Sequence, residues 1–77
     1  MNTLPEFTKQ LEAEFEDFQP GTLTPHTNYR ELKGWSSMHA LIVIAFVDAN
    51  YNVLLTGADL KNAQTVEDLY SIVKNKQ

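Results

Sequence analysis

Residues 33–53 read "KGWSSMHALIVIAFVDANYNV", and the fold turns on whether this stretch is a helix or a hairpin. Ala40 to Val47 is an unbroken apolar run rich in β-branched residues, and "DANYN" followed by "VLLT" has the form of a hairpin turn and return strand. At helical period the same residues place Ala40, Val43, Ile44, Val47 and Tyr51 on one face, with Met38, Ile42, Ala45 and Ala49 opposite. Local propensity favours strands, whereas length and periodicity favour a helix, so the residues alone leave both open. A helix apolar nearly all round is either buried on several sides or reserved for a partner. Two adjacent serines, Ser36 and Ser37, stand at its entrance between the lone tryptophan, Trp35, and the apolar run.

The flanking segments are easier to read. Thr3 and Glu6 have capping-box spacing with Pro5 in the first turn, and Phe7, Leu11, Phe15 and Phe18 follow on one helical face. This predicts a first helix that runs to "QPG" at 19–21, where Pro and Gly stop it. Residues 20–35, "PGTLTPHTNYRELKGW", predict a long loop. Its apolar residues Leu23, Tyr29, Leu32 and Trp35 should fold it back onto the core. Thr56 with Asp59 predicts one or two helical turns, weakened by Gly57. Thr65 with Asp68 opens a final helix carrying Val66, Leu69, Tyr70 and Val73 on one face. In that helix the acids come first and Lys74 and Lys76 last, as the helix dipole prefers.

Size and composition narrow the function. Seventy-seven residues make one small domain, 1–77, which buries roughly 60–65% of its unfolded surface. Without cysteine there is no disulfide or thiolate metal site, and two separated histidines, His26 and His39, make no zinc site by themselves. "MNTLPEFTKQ" lacks a basic start and an apolar stretch, so no signal peptide is expected, and no apolar run is long enough to span a membrane. A cytoplasmic protein is expected. The net charge of −4, with acids grouped in "EAEFED" at 12–17 and no basic stripe, argues against nucleic-acid binding.

Three stretches in register resemble the acyl carrier protein family. "GWSSM" resembles its Asp-Ser-Leu signature, with Ser37 at the modified serine and Met38 at the leucine. "VDANYNV" resembles the end of its second helix, with aromatic Tyr51 fourteen residues after that serine, and "TVEDLYSIV" resembles its last helix. The resemblance covers residues 32–73 and implies a helix over 37–51. It also implies an all-α bundle of three longer helices and one short one, with a long loop between the first and second. The expected centre is Phe7, Leu11, Phe15, Val43, Ile44, Val47, Leu69 and Val73, with the acyl chain sheltered partly between helices.

The chemistry implied is a covalent shuttle rather than an enzyme. Ser37 would carry 4′-phosphopantetheine from coenzyme A, and the arm's thiol would hold acyl groups as thioesters. Ser36 would cap the helix, or serve as the alternative attachment point. A phosphodiester on Ser37 would lie near free N–H groups at the positive end of that helix. Expected partners are a phosphopantetheinyl transferase and the acyl-transferring and synthase enzymes of fatty-acid, polyketide or related biosynthesis, met by a monomer through Met38, His39, Ile42, Ala45 and Asp48. An alternative is an unmodified carrier-like interaction module, and a third is an α+β domain with a hairpin over 40–55.

Two departures from the family pattern bear on recognition. Ser36 replaces the usual aspartate, and the segment from Met38 to Ala49 has one acid, Asp48, where the family carries several. Docking should therefore be more apolar and less salt-sensitive. His39, one turn in and facing sideways, could touch the phosphate or be an ordinary surface histidine. Trp35 could pack the loop against the helix start or shape the mouth where an arm leaves.

Overall fold

In the computed structural model, which describes residues 3–77, the ambiguous stretch is a single helix. Four α-helices make up the fold: α1 (Leu4–Ala13), α2 (Ser37–Tyr51), α3 (Gly57–Asn62) and α4 (Val66–Lys76). A 3₁₀ turn, Tyr29–Glu31, sits within the long α1–α2 connection. No strand occurs among the described residues, and an isolated bridge pairs Asn28 with Thr65. The architecture is an all-α bundle, and the hairpin reading is wrong. Met1 and Asn2, part of the expected 1–77 domain, lie outside the described residues.

Burial and end-capping explain why α2 overrides its β-branched composition. Val43 and Val47 are fully buried and Phe46 nearly so, each worth about 1.5–3 kcal/mol relative to exposure. Asn52 closes the helix in the left-handed conformation at φ 55°, and its N–H donates to Asp48 O at 3.1 Å. The inward face is rotated from the expected one. Phe46 and His39 are buried, while Ala40, Ile44 and Tyr51 are half-buried and pack at the edge of the core. Ile44 therefore leaves the expected centre and Phe46 enters it. Phe7, at 0% exposure, is the hub, with ring centroids 6.0 Å from Phe46, 5.6 Å from Tyr51 and 5.4 Å from Tyr70.

Helix α1 ends at Ala13, earlier than the spacing of Phe15 and Phe18 predicts. Its last turn holds no basic residue, and Glu12, Glu14, Glu16 and Asp17 would crowd the negative end of a longer helix. The chain instead tightens into turns, with Glu14 N–H donating to Leu11 O and Phe15 N–H to Glu12 O. The Glu12 carboxylate reaches across to accept the N–H groups of Gly21 and Leu23, at 3.0 and 2.8 Å. Gly21, at φ +93°, gives the turn that presents its N–H to this carboxylate.

The long connection folds back as expected. Leu23 and Tyr29 are buried, and Leu32 and Trp35 are half-buried. Tyr29 donates its hydroxyl to Leu60 O and Ala63 O at 2.9 and 3.2 Å. Val66 N–H and Glu67 N–H reach Thr27 O and Pro25 O, so the loop is pinned to the start of α4. Of the three expected capping boxes, those of α3 and α4 form, whereas at α1 Thr3 Oγ1 accepts Glu6 N–H at 3.5 Å and donates to Glu6 Oε1 at 2.9 Å. Thr56 Oγ1 and Thr65 Oγ1 each accept an N–H at 3.1 Å from Asp59 and Asp68, whose carboxylates accept the threonine N–H groups in return.

Candidate functional site

Ser36 stands at the N-cap of α2 with extended backbone, and His39 three residues on bends back to it. Ser36 N–H donates to His39 Nδ1 at 3.1 Å, and Ser36 Oγ lies 2.9 Å from the same nitrogen. A backbone amide can only donate, so Nδ1 must be the unprotonated acceptor of the imidazole. The proton then sits on Nε2, which donates to Asp17 Oδ2 at 3.0 Å. That hydrogen bond holds the Asp17 carboxyl below the usual carboxylate value, against the desolvation that would raise it. The local sequence thus builds an unbroken chain, Ser36–His39–Asp17.

His39 is 8% exposed, and its expected place on the outer face is a misreading. The turns that follow α1 carry Phe15 and Phe18 over the entrance of α2. Phe18 stacks on the imidazole at 5.3 Å and 16°, while Phe15 and Trp35 lie 5.3 and 5.2 Å away. Trp35 also reaches Tyr29 at 5.1 Å, so it packs the long loop against the helix start. Asp17 is the neighbour of His39 that sequence reasoning missed. Nothing local pairs it with a histidine twenty-two residues away; only the early end of α1 brings them together.

Ser37 is the first residue of α2, exposed, and its hydroxyl makes no hydrogen bond among the described residues. The first turns of α1, α3 and α4 contain Glu6, Asp59, and Glu67 with Asp68, whereas that of α2 contains no acid. His39 and Ala40 N–H bond Ser36 O at 3.0 and 3.3 Å, so the N–H groups left at this helix start are those of Ser37 and Met38, with no acid of the first turn beside them.

The expected recognition residues divide. Met38 is 67% exposed, and Ala45 and Asp48 are exposed on the same side of the helix. Ile42 is half-buried at a groove of about 440 Å³, where Phe15, Met38 and His39 meet the acidic turn of Glu14, Glu16 and Asp17. Leu41, 65% exposed, was missed, although its spacing from Met38, Ala45 and Asp48 (i, i+3, i+7, i+10) puts it on their stripe. Among the described residues no helix is long and apolar enough to cross a membrane, and no cluster of three acids or histidines could hold a metal ion. No family model, curated protein or solved structure matches the chain.

Proposed function

We propose that the chain is an acyl carrier protein in which Ser37 bears a 4′-phosphopantetheine arm and acyl intermediates travel on the arm's thiol. One observation carries the reading: Ser37 is an exposed hydroxyl on the first residue of a fifteen-residue helix whose first turn holds no acid. A phosphodiester there meets unpaired N–H groups and the positive end of the helix. The residues present fit such a group. Ser37 Oγ would be its anchor, and the N–H groups of Ser37 and Met38 would be the donors available to its phosphate. When bound, the arm supplies a thiol, which this cysteine-free chain lacks.

The engagement of Ser36 by His39 favours Ser37 over Ser36 as the attachment point. Met38, Leu41, Ala45 and Asp48 then present a mostly apolar stripe to the transferase, acyl-transferring and synthase enzymes. The chain in this reading is a cytoplasmic shuttle in fatty-acid, polyketide or related biosynthesis and not itself an enzyme.

Intact-mass measurement after incubation with coenzyme A and a broad-specificity phosphopantetheinyl transferase tests it. A gain of one arm is expected, lost in Ser37→Ala and kept in Ser36→Ala. If no arm is added by this transferase or in the native host, the carrier reading fails. The exposed Met38 and Leu41 would then serve the alternative, an unmodified interaction module.

A further inference from the structure

The Asp17–His39–Ser36 chain contains a hydroxyl, an imidazole and a carboxylate in hydrogen-bonded order, and the carrier reading gives none of them chemistry. We infer that Ser36 is a self-acylating serine, accepting an acyl group from an activated ester or thioester with His39 as its base and Asp17 as the residue that positions the imidazole.

Four features support this. First, the required tautomer is imposed by the backbone. Because Ser36 N–H occupies part of the Nδ1 lone pair, that nitrogen is the acceptor and faces Ser36 Oγ at 2.9 Å. Nε2–H is held by Asp17 at 3.0 Å, so an imidazolium formed at Nδ1 has a carboxylate already in contact. The nitrogens are used in the reverse sense from the familiar serine triad, but the chemistry needs only one acceptor and one anchored donor. Second, the ring cannot swing away. It is stacked on Phe18 and flanked by Phe15 and Trp35.

Third, Ser36 is exposed and precedes the unpaired N–H groups of Ser37 and Met38, which can receive an oxyanion developing beside Oγ. Fourth, the groove beside His39 has one apolar wall, Phe15, Met38 and Ile42, facing the acidic turn of Glu14, Glu16 and Asp17, and that wall offers a short acyl chain a place to lie. In the step itself Ser36 Oγ attacks the acyl carbonyl while its proton moves to the Nδ1 lone pair of His39, which gives up its hydrogen bond from Ser36 N–H as it does so. The bond from the carbonyl carbon to the leaving oxygen or sulfur then breaks. The proton passes from Nδ1 to the leaving group, giving a Ser36 ester and a free alcohol or thiol. No oxidant or cofactor is involved.

The test uses the full unmodified chain with p-nitrophenyl butyrate and p-nitrophenyl acetate, and without coenzyme A or transferase. Its outcome is therefore independent of whether Ser37 takes an arm. One acyl group per chain, placed on Ser36 by peptide fragmentation, is expected, with butyrate reacting several-fold faster than acetate. Ser36→Ala and His39→Gln should each slow labelling at least ten-fold. His39→Gln perturbs a packed ring, so Asp17→Asn provides the second line of evidence in a chain whose circular dichroism is unchanged. It should slow labelling several-fold, with partial recovery in Asp17→Glu, a recovery that a purely structural contact would not give. Labelling confined to lysines or Ser37 would overturn the inference. So would a wild-type rate in Ser36→Ala or in folded Asp17→Asn.

Discussion

The entrances of α2 and α4 solve the same backbone problem with different chemistry. At α4, Thr65 and Asp68 exchange hydrogen bonds in the ordinary way, and the Asp68 carboxylate also accepts Gln64 N–H at 3.1 Å. That carboxylate neutralises the positive end of the helix. At α2 the box position is filled by His39, which satisfies Ser36 N–H with a neutral nitrogen. Its counter-charge, Asp17, is kept on the far side of the ring. One entrance is closed to anions, and the other is left open without losing its cap. Such a cap must be assembled from distant parts of the chain, whereas the α4 box is local. The α2 entrance should therefore be the more costly to disturb.

His39→Ala carries the largest expected effect. It removes the stacked ring, the acceptor for Ser36 N–H and the partner of Asp17 together, and should lower stability by about 2–3 kcal/mol. Thr65→Ala removes one cap acceptor and should cost about 1 kcal/mol. Urea denaturation of both variants checks the ranking, and equal losses would erase the distinction between the two entrances. Tyr29→Phe probes the loop that joins them. It leaves Leu60 O and Ala63 O without their donor, at a cost of about 1 kcal/mol. Burial raises the Tyr29 hydroxyl from 10.0 to about 12. The folded form thus favours the neutral phenol, and this contribution is complete below pH 10 and fades as pH rises through about 12.

Acid separates the entrances in another way. Asp68 is held below 3.8 by the N–H groups of Gln64 and Thr65, and Asp17 by its hydrogen bond to His39. Both are carboxyls depressed by folding, so their contributions are full above 3.8 and are lost as pH falls through the lower folded values. Asp68→Asn should flatten the acid limb of a stability–pH profile more than Asp17→Asn. Asp68 binds backbone directly, whereas Asp17 acts through a ring that the aromatics also hold.

What the sequence made legible follows the range of each interaction. The threonine–aspartate boxes of α3 and α4 span three residues and were readable outright, as was the return of Leu23 and Tyr29 to the core. The helical state of 37–51 was not settled by its own residues, because "ALIVIAFV" suits either period. Burial of Val43, Phe46 and Val47 by the rest of the chain decides it. Ser36 as cap and Ser37 as the exposed neighbour were readable from their types and order. The burial of His39 was not, because it depends on α1 stopping at Ala13. The regular spacing of Phe15 and Phe18 suggested a continuing helix, while the run of acids beside them was the physical reason to stop. That run of acids is thus the local signal for the turn that carries Asp17 over α2.

The smallest expected effect tests whether the two ends of the bundle are independent. Lys76, near the end of α4, pairs with Asp59 at 2.8 Å, and this contact is the leading cause of the depressed Asp59 carboxyl. Lys76→Met should cost about 0.5 kcal/mol at low salt and less at high salt. It should also make the acid limb of the stability–pH profile shallower, because Asp59 then returns toward its ordinary value and contributes less pH dependence. Nothing in this pair touches Ser36, His39 or Asp17. Amide hydrogen exchange of Ser36 N–H should therefore match wild type at neutral pH, while the N–H groups at the α3 entrance exchange faster. Faster exchange at both entrances would mean that the local box and the assembled cap open as one unit, and their different chemistry would no longer imply different stability.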